Sequence, residues 1–141
     1  MKSQVFHESE TVALASEFAA GLKPGDVVTL SGELGAGKSV FCRAVMRALG
    51  VTDEALPSPT FSIIQEYEAE NCKVAHMDWY RLDAVDEIEM LGVREYFQSP
   101  WICLIEWPER AGELLDAAVI RITMSLPTAD LNSRLIEIDR V

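Results

Sequence analysis

Apolar residues recur at helical spacing between Thr11 and Leu22, where Val12, Leu14, Ala15, Phe18, Ala19 and Leu22 share one face. Ser9 is placed as an N-cap and Gly21 near the stop, so the pattern predicts a first amphipathic helix. Pro24-Gly25 turns the chain into Asp26–Ser31, a short β-branched run that reads as a buried strand. From Ser39 the periodicity is helical again, with Val40, Phe41, Ala44, Val45, Ala48 and Leu49 on one face and Gly50 as a left-handed C-cap. Phe61–Glu68 and Cys72–Asp78 read as a hairpin around Ala69–Asn71. Trp101–Glu106 is a nearly continuous apolar run, the pattern of a strand covered on both faces. Helical fragments are expected over Asp86–Phe97 and Glu109–Ala117, and two closing strands over Val119–Ser125 and Arg134–Asp139. Strands alternating with helices predict an α/β fold, a three-layer sheet flanked by helices. Its direction is mixed, because some consecutive strands lack a crossover helix.

Length and charge narrow the function classes. A chain of 141 residues with 49% hydrophobic residues suits a single domain, 1–141, with a real core. There are 12 Lys plus Arg against 23 Asp plus Glu, a net charge of −11. That charge repels phosphate backbones and anionic membranes, so no strong direct nucleic-acid binding and no membrane partner are expected. Any role with RNA requires a basic partner. Cys42, Cys72 and Cys103 are odd in number and lack C-x-x-C spacing, and no apolar leader opens the chain; three buried thiols in a cytoplasmic protein are expected.

The strongest chemical signal is GELGAGKS, Gly32–Ser39, which fits G-x-x-x-x-G-K-[ST] between a strand and a helix. Gly32, Gly35 and Gly37 allow successive N–H groups to point inward as an anion nest at a helix N-terminus. Lys38 is expected to reach the β and γ phosphates and the Ser39 hydroxyl to ligate Mg²⁺. A strand-end carboxylate completes such a site. Glu106 ends the more buried strand and is the expected metal-side residue, and Asp78 is expected to orient a water. Thr60, in the proline-fixed loop Ser58–Phe61, stands where nucleotide switches sense the γ-phosphate. Arg81 suits either a cationic contact to phosphate or partner or a surface ion pair. His76 suits a core position bonded to backbone. No N-K-x-D element is present, so adenine is the default base.

Together GELGAGKS, SPTF, HMDWYRL (His76–Leu82) and IEWPE (Ile105–Glu109), with Glu10-Thr11 and a late Arg134, resemble the TsaE/YjeE family over nearly the whole chain. The resemblance implies a P-loop NTPase-like fold and a cytoplasmic, ATP- and Mg²⁺-using ATPase required for threonylcarbamoyladenosine modification of tRNA. It implies docking on the threonylcarbamoyl-transferase subunit and its companion, the TsaD and TsaB types. Carried over by motif, Gly35, Ala36, Gly37, Lys38, Ser39 and Val40 hold nucleotide, with Thr11 near the base. Ser39 and Glu106 hold metal, while Lys38, Thr60, Asp78 and Glu106 serve catalysis. Two positions depart from the family pattern. Ser39-Val40 replaces two threonines and keeps the metal-binding hydroxyl; Trp79 replaces a leucine, either packing or altering a partner contact. A small-molecule kinase of P-loop type is the alternative, but Ala69–Asn71 and Ser125–Ser133 are short for a phosphate-covering lid.

Overall fold

A computed structural model describes residues 1–111, 114–115, 119–127 and 132–140. Seven strands form one sheet: β1 (Lys2–Val5), β2 (Val27–Ser31), β3 (Ile64–Glu68), β4 (Lys73–Asp78), β5 (Trp101–Glu106), β6 (Ile120–Ser125) and β7 (Arg134–Asp139). Their spatial order is β1-β7-β6-β2-β5-β4-β3. The four central strands β6, β2, β5 and β4 run parallel, whereas β3, β7 and β1 add antiparallel edges. The expected three-layer, mixed sheet is therefore present.

The layers follow from strand alternation. Val28, Leu30, Val74, Ile102, Leu104, Ile122 and Met124 point to the face covered by helices α1 (Glu8–Ala19) and α2 (Lys38–Leu49), where Phe18 and Phe41 stack at 5.8 Å. Val27, Ala75, Met77, Cys103 and Ile105 point to the opposite face, under α3 (Val85–Met90) and the 3-10 turns Val93–Phe97 and Pro108–Ala111. Trp79 is 0% exposed in this second layer, so of its two readings it packs.

Several boundaries differ from the sequence reading. Helix α1 starts at Glu8 rather than Thr11; Ser9 and Glu10 lie inside it, and the Glu10 carboxylate reaches back to the Phe6 N–H at 3.1 Å. That contact replaces the expected serine cap. Strand β3 begins at Ile64, because Ile63 adopts a left-handed φ of 70° and turns the chain. The helix expected over Asp86–Phe97 breaks at Gly92, φ 69°, into α3 and a 3-10 turn. Of the helix expected over Glu109–Ala117, the described residues show a 3-10 turn ending at Ala111, and Gly112, Glu113, Asp116 and Ala117 lie outside the described residues. Strand β1 carries no sequence signal: three of its four residues are at least partly exposed on the sheet edge, so no alternation marks it. Cys42 and Cys103 are buried free thiols, but Cys72 is only half-buried. No helix among the described residues is long and apolar enough to cross a membrane.

Gly50 ends α2 with φ 102°, and a Cβ there would lie 2.8 Å from the Glu70 Cβ. Gly50→Ala is expected to cost about 1–2 kcal/mol from the left-handed backbone, with the Glu70 clash adding to it. For a chain of this length that lowers Tm by roughly 2–4 °C per kcal/mol, read by thermal denaturation; an unchanged Tm would contradict the cap assignment.

Candidate nucleotide site

The parallel strands deliver the site. β2, β4 and β5 end at the same edge, and Asp78 and Glu106 are register partners in the β4–β5 ladder. The crevice beyond the carboxyl ends of parallel strands is where α/β sheets bind ligands. Gly32–Gly37 leaves β2 at this edge and opens α2 at Lys38.

Each glycine has its own reason. Gly35 (φ 84°) and Gly37 (φ 101°) occupy the left-handed region that side chains disfavour. Gly32 is required by close approach instead: a Cβ there would sit 2.4 Å from the Met124 carbonyl oxygen. The loop leads into the α2 N-terminus, where the helix dipole favours an anion.

Lys38 is 6% exposed, donates to the Gly32 carbonyl at 2.6 Å and lies 3.6 Å from the Trp107 ring centroid. Burial lowers its pKa below the usual lysine value, and the Glu106, Glu109 and Asp78 carboxylates oppose that shift. Trp107 itself has φ 60° and stacks on Tyr80 at 4.8 Å. Asp78 is held at both oxygens: Oδ1 accepts the Tyr80 N–H at 2.9 Å, and Oδ2 the Thr60 hydroxyl at 3.2 Å. Thr60 in turn shares a 2.8 Å hydrogen bond with Ser58. The strained Ile63 contributes its carbonyl, which accepts the Asp78 N–H at 2.9 Å. His76, expected to bond backbone, is bonded to Glu106 instead, Nε2 to Oε2, at 2.8 Å.

A cavity of ≈ 330 Å³ is lined by Lys38, Ser39, Thr60, Asp78, Glu106 and Trp107 together with the loop. Its hydroxyl and carboxylate oxygens are hard donors, the set that suits Mg²⁺ with bound phosphate. Lys38 is the only cation lining it among the described residues. A second cavity, ≈ 240 Å³, backs onto the same loop and is lined by Thr11, Glu8, Ala36, Val40 and Arg134. Gly35, Gly37 and Val40 line both, so the same loop borders the two cavities.

The family described as "Threonylcarbamoyl adenosine biosynthesis protein TsaE" matches residues 5–136. This chain belongs to the TsaE family. Among its relatives, the tRNA threonylcarbamoyladenosine biosynthesis protein TsaE of Bacillus subtilis is 42% identical over 124 residues, 88% of this chain and 77% of the relative. That of Rickettsia conorii is 41% identical over 131 residues, 93% and 73% of the two chains. The crystal structure of Bacillus subtilis YdiB superposes with a TM-score of 0.84 at 35% identity, covering 100% of this chain and 85% of that one.

In this TsaE-family chain the structure brings Lys38, Ser39, Thr60, Asp78 and Glu106 to one cavity. Thr11 faces the other, 5% exposed and inside α1. Arg81 lies exposed over the Phe61 ring at 4.9 Å, turned to a ring contact rather than into the cavity. Sequence reasoning missed Trp107 as the ring against Lys38 and His76 as the partner of Glu106. Neither has a sequence signal: the first depends on a left-handed backbone before Pro108, the second on the β4–β5 register.

Proposed function

We propose that this protein is a Mg²⁺-dependent ATPase in threonylcarbamoyladenosine biosynthesis, whose nucleotide state controls assembly or resetting of the threonylcarbamoyl-transferase complex. The observation that supports it most is the shared cavity of Lys38, Ser39, Thr60, Asp78 and Glu106 at the N-terminus of α2. The relatives' name supplies the pathway.

In this reading the loop N–H groups and Lys38 bind the phosphates, and the low-dielectric surroundings of Lys38 strengthen that attraction. Ser39 and Glu106 hold the metal, which when bound neutralises charge on the phosphates. Asp78, oriented by Thr60 and Tyr80, positions the attacking water and accepts its proton. Thr60 contacts Asp78 through a single hydroxyl and is free to exchange that contact for the γ-phosphate, a switch role. Thr11 lies beside the adenine.

Phosphoryl transfer rests on positioning and charge neutralisation, and an arginine supplied in trans accelerates it strongly. With Lys38 as the only cation lining the cavity among the described residues, hydrolysis by the isolated chain should be slow. Steady-state phosphate release is expected to rise on the order of tenfold or more when purified transferase and companion subunits are added. Equal rates with and without them would count against partner-coupled turnover.

A further inference from the structure

His76 and Asp78 lie two residues apart on β4 and so project from the same face of the sheet, the face under α2. Glu106 shares that face at the end of β5. His76 is 1% and Glu106 3% exposed, so their 2.8 Å contact is sealed from solvent. A carboxylate oxygen only accepts, which places the hydrogen on Nε2. The other ring nitrogen, Nδ1, is buried and has no hydrogen-bond partner. The bond to Glu106 is thus what orients the ring, and the ring in turn occupies Oε2. Glu106 also lines the cavity beside the loop.

We propose that His76 is a positioning residue for Glu106: by holding Oε2 within the protein it presents Oε1 to the cavity in the orientation that, with the Ser39 hydroxyl, receives Mg²⁺. This rests on the reading of Ser39 and Glu106 as metal ligands. Outer-shell donors of this kind govern metal sites because a carboxylate free to rotate must be ordered at each binding event. The fold makes the arrangement rigid, since both residues sit on adjacent parallel strands rather than on loops.

A different use of the same residues is disfavoured by burial. Donor atoms of Cys42, His76 and Glu106 lie within 4.8 Å of one another, a set that invites a soft metal. Burial drives the Cys42 thiol well above its usual pKa, holding it protonated.

Three substitutions separate positioning from packing. In His76→Gln the amide nitrogen falls near the Nε2 position and keeps a donor. His76→Asn reaches only to the Nδ1 position, and His76→Phe keeps the ring volume without a donor. The probe is Mn²⁺ with ADP, followed by electron paramagnetic resonance. His76→Asn and His76→Phe should raise the half-saturating Mn²⁺ concentration about 10–100-fold, and His76→Gln by no more than about threefold. ADP affinity in EDTA should stay unchanged in all three, showing that each folds with its loop intact; if His76→Asn fails to fold, His76→Phe carries the comparison. Unaltered Mn²⁺ affinity in both His76→Asn and His76→Phe would overturn the proposal. So would equal losses in His76→Gln and His76→Phe, which would make the role one of packing. Ser39→Ala and Glu106→Gln are measured in parallel: if neither weakens Mn²⁺, the metal reading itself fails and the positioning role falls with it.

Discussion

Lys38→Ala should lower ATP and ADP affinity by about 10²–10⁴-fold. In the proposed reading the ammonium makes two charge-assisted contacts to phosphate, each contributing roughly 1.5–3 kcal/mol, and every 1.4 kcal/mol is a factor of ten. The environment argues for the upper part of that range. Lys38 is nearly buried between the Gly32 carbonyl and the Trp107 ring, so no water-filled surface substitutes for the lost cation. The shortened side chain also leaves Asp78 and Glu106 facing incoming phosphate without a neutralising charge. Isothermal calorimetry with ADP checks this, and undiminished affinity would remove the loop from the binding site.

Asp78→Asn should keep nucleotide affinity within a few-fold and lose hydrolysis by about 10²–10⁴-fold, the usual contribution of a positioned proton acceptor. The change is nearly isosteric. An amide retains one acceptor, which suits either the Tyr80 N–H or the Thr60 hydroxyl but no longer both with a proton to take. Glu106→Gln should behave differently. It loses a comparable amount of activity, but part of the loss returns at high Mg²⁺, because the defect lies in holding the ion. Single-turnover phosphate release across a Mg²⁺ series separates the two. Identical Mg²⁺ profiles for both variants would refute the division of roles between the carboxylates.

These two carboxylates also show how much of the site was legible in the chain. Each ends an apolar run, and that is why Asp78 and Glu106 stood out as strand-end acids. Their pairing did not follow, because β4 and β5 are separated by the whole α3 region and only the sheet order makes them register partners. Trp107 reads in sequence as a residue that stops a strand before Pro108. Its ring against Lys38 depends on a φ of 60°. Gly32 reads in sequence as one of the glycines of an anion nest, whereas its requirement comes from the Met124 carbonyl on a strand more than ninety positions away.

By itself the sequence determined the local chemistry: the loop Gly32–Ser39, helix α2 with its Gly50 cap, the strand Trp101–Glu106, and a strongly acidic chain with a hydrophobic core. These are encoded by periodicity, by glycine's freedom at positive φ and by the order of residue types, all short-range properties. Only the tertiary structure decided which face each strand turns to α2, where α1 begins, that β1 closes the sheet edge, and that His76 meets Glu106. Those outcomes depend on register and on which strands become neighbours. Such choices minimise the free energy of the whole packed sheet, and no local window of the chain contains them.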